Sequence, residues 1–189
     1  IGLTRSGMGI PKIEQVLVPV VPDIPEACPS CGHTLVWDSD ALYCPDSINC
    51  PAQVANSMED FFKTIANIDG FGMATIEKLY QNGLRKVSDI YAMTFEQLQS
   101  FGFGDKTARN LLDELQRSLR DPIEDWRFLG AFGVHRMGGG NCERLLQAYP
   151  MPTLFTLDEA QVAEIDGFAE LSAQFVVQGL ESIKAEFDL

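Results

Sequence analysis

Four short turns, two of them holding a pair of glycines, recur at a nearly fixed interval, and no other feature limits the fold of this chain so strongly. They are Ile68-Asp69-Gly70-Phe71-Gly72, Ser100-Phe101-Gly102-Phe103-Gly104, Val134-His135-Arg136-Met137-Gly138 and Ile165-Asp166-Gly167-Phe168-Ala169. Between their last residues, 72, 104, 138 and 169, the intervals are 32, 34 and 31 residues. A period near 30 marks one supersecondary unit copied along a chain. Apolar residues at helical spacing follow the turns, as in Ile76 and Leu79, Leu111, Leu112 and Leu115, and Leu145 and Leu146. These are core positions. The pattern reads as helical from Ser57 to the end.

Helix boundaries can be read in several places. Thr94-Phe95-Glu96-Gln97 and Thr156-Leu157-Asp158-Glu159 fit the capping box, in which the first and fourth residues satisfy each other's free amides. Asp121-Pro122 puts a capping acid before a proline suited to a first helical position. Gly83 after Leu79-Tyr80-Gln81-Asn82 is placed to end a helix in the left-handed conformation.

The first part of the chain differs in kind. Leu3-Thr4-Arg5-Ser6 and Ile13 to Val18 alternate apolar and polar residues around Gly7, Gly9 and Pro11, which reads as strand, turn, strand. Pro19, Pro22 and Pro25 form a stiff linker. Then Cys28, Cys31, Cys44 and Cys50 fall within 23 residues. A two-residue gap between cysteines lets a tight turn aim both thiolates at one ion, and Gly32 eases that turn. Four thiolates close a tetrahedral structural zinc site with no vacant position for water, so the expectation is one structural Zn2+ and no catalysis there. Trp37 and Tyr43 stand on the intervening hairpin, placed to cover the site. Buried free thiols or two disulfides are the alternative. Cys142 stands apart and reads as a small buried residue.

The fold expected is mainly α, with a small β and zinc-ribbon part at the N-terminus and four tandem helix-hairpin-helix motifs. The domains expected are 1–25 (strands and linker), 26–55 (four-cysteine zinc finger) and 56–189 (hairpins).

A glycine turn leading into a helix has a chemical use. Glycine permits positive φ and leaves the backbone bare. Amides of the turn and of the new helix then point outward at the positive end of a helix dipole, which makes a phosphate site. Such a site reads no base sequence. The candidate DNA contacts are Gly70, Gly72 and Thr75 in the first turn, and Gly102, Gly104, Lys106 and Thr107 in the second. The third offers Arg136 and Gly138. In the fourth, Ala169 replaces the second glycine between Asp166 and Glu170, so it reads as a structural copy.

The net charge of −13 argues against general affinity for nucleic acid. The distribution matters more. Residues 57–120 carry nine acids and eight bases, whereas 121–189 carry twelve acids and four bases. Contacts relying on side-chain charge are expected in the middle segment. No apolar run approaches the roughly 18 residues of a membrane span, and no leader opens the chain, so a cytoplasmic protein is expected. Ile1-Gly2-Leu3-Thr4-Arg5 reads like the middle of a strand, so a longer parent is expected too.

The order of features resembles NAD-dependent, bacterial-type DNA ligase. The match runs from Thr4-Arg5-Ser6-Gly7 and Ile10-Pro11-Lys12 through Cys28-Pro29-Ser30-Cys31-Gly32 and Cys44 to Cys50-Pro51-Ala52-Gln53. It continues in Gly70-Phe71-Gly72, Gly102-Phe103-Gly104-Asp105-Lys106-Thr107-Ala108 and Gly133 to Gly138. The resemblance implies the tail of an OB-fold, a zinc finger and a hairpin domain that holds nicked double-stranded DNA. It implies a full-length enzyme that uses NAD and Mg2+ to seal nicks in replication and repair. The lysine of that chemistry lies in a K-x-D-G motif, which no part of residues 1–189 contains. No catalytic residue and no NAD site are therefore expected here, ligation by this segment alone is not expected, and its partner is the catalytic domain of the same polypeptide. Two other readings stay open: a tandem hairpin module of another repair protein, and a protein-interaction scaffold.

Overall fold

The structure, a computed structural model, describes residues 2–6, 10–21, 23–65, 68–134 and 137–187. It divides into two compact units, Ile1–Pro45 and Asp46–Leu189. The architecture is mainly helical with two small antiparallel sheets.

In the first unit, β1 (Gly2–Ser6) pairs antiparallel with β2 (Ile10–Gln15), with Thr4 opposite Lys12 and Ser6 opposite Ile10. These are the two strands expected, and the turn expected at Gly7 and Gly9 lies outside the described residues. The second strand ends earlier than the run to Val18 implied, because the ladder closes with Gly2 opposite Gln15. Val16, Leu17 and Val18 beyond it are exposed. A second hairpin joins β3 (Val36–Asp38) to β4 (Ala41–Tyr43).

The second unit holds nine α-helices among the described residues. They are α1 (Pro51–Thr64), α2 (Met73–Gln81), α3 (Val87–Tyr91), α4 (Phe95–Ser100), α5 (Asp105–Ser118), α6 (Asp125–Ala131), α7 (Gly139–Ala148), α8 (Glu159–Ala163) and α9 (Glu170–Phe187). A 3-10 helix, Met151–Thr156, precedes α8. No described helix is long and apolar enough to cross a membrane.

Helix α1 begins before Ser57 because Pro51, with its fixed φ and missing N–H, occupies its first position. It buries Val54, Ala55, Met58, Phe61 and Phe62 along one face. The Thr94 box forms as expected, with Gln97 N donating to Thr94 Oγ1 at 3.3 Å and Thr94 N to Gln97 Oε1 at 2.9 Å. Gly83, at φ 98°, closes α2 with Gly83 N donating to Tyr80 O and Leu84 N to Leu79 O.

Two boundaries are corrected. Thr156 ends the 3-10 helix that Pro150 introduces, and Asp158 caps α8 instead, in a box with Gln161. Asp121 does not cap a helix beginning at Pro122. It is drawn back to α5, its amide donating to Arg117 O and its carboxylate accepting from Arg117 Nη1 at 3.2 Å, so α6 starts only at Asp125.

Two apolar clusters fill the unit. One gathers α1 to α5, with Phe62, Ile76, Leu79, Ile90 and Leu98 at its centre. The other gathers α6 to α9 around Leu129, Leu145, Leu154, Val162 and Leu180. Helix α6 serves both, giving Ala131 to the first and Leu129 to the second. Truncating a residue so enclosed costs about 2–5 kcal/mol. The turns thus pack two by two.

Candidate functional site

The cysteines come together through local geometry. Cys28 N donates to His33 O at 2.7 Å and Gly32 N to Cys28 O at 2.8 Å, with Gly32 at φ 78°, so the first pair sits on a tight knuckle. Cys31 Sγ and Cys44 Sγ are 3.5 Å apart. The sulfurs of Cys28, Cys31, Cys44 and Cys50 all lie within 4.8 Å of one another. Zinc–thiolate bonds of about 2.3 Å in a tetrahedron require sulfurs roughly 3.8 Å apart, so the set fits one ion. Cys50 is the N-cap of α1, where the helix dipole favours a thiolate. Trp37 and Tyr43 remain exposed. Cys142 lies away from this group, fully buried. Its thiol donates to Met137 O at 3.2 Å and burial pushes its pKa up to about 11, so it stays protonated at neutral pH.

Each described glycine turn sits between two helices: α1 and α2, α4 and α5, α6 and α7, α8 and α9. The first, second and fourth turns each hold one glycine at positive φ, Gly70 at 90°, Gly102 at 79° and Gly167 at 92°, and Gly133, at 65°, stands just before the third. In the first, second and fourth this glycine stands two residues before the helix cap. For the third it is Gly133, five residues before Gly138, so the glycine that repeat was expected to lack is displaced upstream. His135 and Arg136 lie outside the described residues.

The second glycine behaves differently. Gly72, Gly104 and Gly138 are N-caps with φ of −76°, −70° and −65°, values open to any residue. A Cβ at any of the three would meet nothing within 4 Å. The folded chain itself therefore does not require glycine there. The residue between the two glycines faces inward in the first turn, where Phe71 is buried and stacks on Phe62 with ring centroids 4.5 Å apart. Phe103 is only half-buried.

What distinguishes the turns is whether their amides are already used. In the first, Met73 N donates to Glu59 Oε1 and Asp69 N to Glu114 Oε2, both at 2.9 Å. Glu59 is held below the usual carboxylate range chiefly by its hydrogen bond from Lys63, and Glu114 chiefly by the Asp69 amide. In the fourth, Ala169 N donates to Ser172 Oγ at 2.7 Å. In the second, no described group accepts from the amides of Gly104, Asp105, Lys106 or Thr107. Gln99 Nε2 ties back the Asp105 carboxylate at 2.8 Å, and Lys106 is exposed.

Gly70, Thr75 and Thr107 meet in one groove of about 570 Å³, which Asp69, Asp113 and Glu114 also line. Gly104 and Lys106 are not part of its lining. The glutamates that occupy the first turn are fixed by tertiary contacts 14 and 45 residues away in sequence, which no local pattern announces.

Residues 62–117, spanning the first two turns, match the family described as "SAM-like Helix-hairpin-helix tandem". The chain is 56% identical over 98% of its length to the DNA ligase of Ruthia magnifica subsp. Calyptogena magnifica, covering 30% of that protein. With the DNA ligase of Psychromonas ingrahamii the identity is 52% over 98% of the chain and 28% of the relative. With that of Helicobacter hepaticus it is 34% over 93% of the chain and 28% of the relative. The chain belongs to the bacterial DNA ligase family. The chain spans about three-tenths of the length of the relatives it matches.

Proposed function

We propose that this segment is the part of an NAD-dependent DNA ligase that holds nicked double-stranded DNA by its phosphates, without regard to base sequence. It does so from four helix-hairpin-helix units, which follow a four-cysteine zinc finger over residues 26–55 in the chain. Adenylation, with NAD and Mg2+, belongs to a catalytic domain elsewhere in the same polypeptide, and the whole enzyme seals nicks in replication and repair in the cytoplasm. The segment alone carries neither that lysine motif nor ligation.

One observation carries the reading. At Gly104 the backbone conformation is ordinary and the surrounding space is empty, yet four successive amides at the head of α5 have no acceptor among the described residues. A bare helix start with unused donors suits a phosphate that must approach the main chain closely. Lys106 adds charge and Thr107 a hydroxyl. Gly72 and Gly138 offer the same openness with fewer free donors or, at Gly138, with neighbours outside the described residues. Gly70 and Gly102 shape the bends, and Thr75 and Arg136 are secondary contacts.

Zinc is the ion that suits four clustered thiolates in a closed site, and it would be held by Cys28, Cys31, Cys44 and Cys50. It supplies cross-linking and no reaction. One zinc per chain is expected, with loss of order over residues 26–55 on chelation, followed by circular dichroism and metal analysis.

The DNA reading is tested with Gly104→Leu, which the −70° backbone accommodates. Binding of nicked duplex, measured by fluorescence anisotropy, is expected to weaken at least about tenfold, or about 1.4 kcal/mol. Unaltered affinity overturns the backbone grip, and no binding by the parent chain at low salt favours a protein-interaction scaffold.

A further inference from the structure

Lys78 in α2 reaches across to the next hairpin. Its Nζ donates to the carbonyl of Gly102 at 2.7 Å and lies 4.2 Å from the centroid of the Phe103 ring. It is therefore spent on the turn of the next hairpin, where it holds two of the five residues of Ser100-Phe101-Gly102-Phe103-Gly104. The second half of the unit repeats the device. Lys78 stands six residues after the cap Gly72, and Arg144 six residues after the cap Gly138. A Cβ at Gly167 would lie 3.0 Å from Arg144 Nη1 and 3.4 Å from its Cζ, so the guanidinium rests against the fourth turn as Lys78 rests against the second. Asn141 Oδ1 accepts from Arg144 Nη1 at 2.9 Å and steadies it. Among the described residues, the first and third turns have no such brace. Gly70 meets only Leu111, and nothing lies within 4 Å of a Cβ at Gly133.

We infer that Lys78 is a positioning residue, carried by the first hairpin and acting on the second, which fixes the Gly102–Phe103 peptide so that the amides from Gly104 to Thr107 present one preformed phosphate site. Arg144 is its counterpart for the fourth turn. The physical reason is preorganisation. A glycine bend at φ 79° has many conformations open to it, and a charged hydrogen bond to its carbonyl together with a cation–π contact removes most of them before a ligand arrives. The ammonium is engaged by the protein and does not itself neutralise a phosphate. Lys106, exposed on the first turn of α5, is the residue that does.

This inference rests on the phosphate-gripping reading of the second turn, and the experiment keeps the two apart. Nicked-duplex affinity is measured over a range of salt for the parent chain, Lys78→Met, Lys78→Arg, Lys106→Gln and Gly104→Leu, with thermal unfolding of each. Lys106→Gln is expected to lower the slope of log affinity against log salt by about 0.9, the release of one counterion. Lys78→Met is expected to weaken binding roughly fivefold while keeping the parent slope, as the loss of one charged hydrogen bond predicts. Lys78→Arg is expected to restore most of the affinity, and amide hydrogen exchange at Gly102 to Gly104 should quicken in Lys78→Met alone. A slope that falls in Lys78→Met as in Lys106→Gln overturns the inference, because Lys78 then contacts DNA directly. Unchanged affinity in Lys78→Met, with Gly104→Leu impaired, overturns it also and leaves the grip intact. Unchanged affinity in every variant overturns the grip itself.

Discussion

The first and second glycine turns share the Gly-Phe-Gly motif and differ in what the rest of the protein does with it. At the first, Gly70 is pressed against Leu111, Phe71 is buried against Phe62, and Glu59 and Glu114 take two of its amides. At the second, Phe103 is half exposed, Lys78 grips the carbonyl side, and the amide side is left unused. One motif serves packing in one place and presents donors in the other. Neighbours decide which, and they come from distant helices.

The largest expected contrast lies in stability. Gly70→Ala forces a side chain into φ 90° and sets its Cβ 2.8 Å from Leu111 Cδ2, so a loss of about 3 kcal/mol in urea unfolding is expected. Gly104→Leu, proposed above for its effect on DNA, should unfold within about 1 kcal/mol of the parent, since its cap position is ordinary. Equal losses at the two sites would erase the distinction drawn between them.

The smallest contrast concerns Glu59. Its folded-state carboxyl lies below the ordinary value of 4.5, chiefly through Lys63 and in smaller part through the Met73 amide, so the stability these contacts contribute is fully present above that value and is lost as pH falls through the lowered one. The unfolding midpoint is therefore expected to hold from pH 7 to about 5 and to drop below it. Glu59→Ala should remove part of that drop and, by freeing the Met73 amide at the first turn, raise DNA affinity slightly, by about twofold. A fall in affinity would mean that the first turn needs its glutamate to bind.

Much of this was legible in the residues. The repeat interval located four turns that each lie between helices, the Thr94 box and the Gly83 stop formed as written, and four cysteines at metal-ligand spacing did converge. Local patterns failed where a rival for the same residue lay close by. Asp121 had Arg117 four residues before it, and Thr156 had Asp158, a stronger cap, two residues after it. The site was legible only as a list of glycines. That Gly70 and Gly102 are needed for φ while Gly72 and Gly104 leave open space follows from dihedral angles and contacts, and both pairs look alike in a string of letters. Lys78 and Glu59 escaped notice for the same reason, since their partners are 24 and 14 residues away.

The most direct measurement follows backbone amide resonances during titration with nicked duplex DNA at low salt. Gly104, Asp105, Lys106 and Thr107 are expected to shift first and furthest, with Met73 and Asp69 nearly still. Shifts led by the first turn, or resonances of the second turn that do not move while DNA binds, would contradict the assignment of the grip to the head of α5.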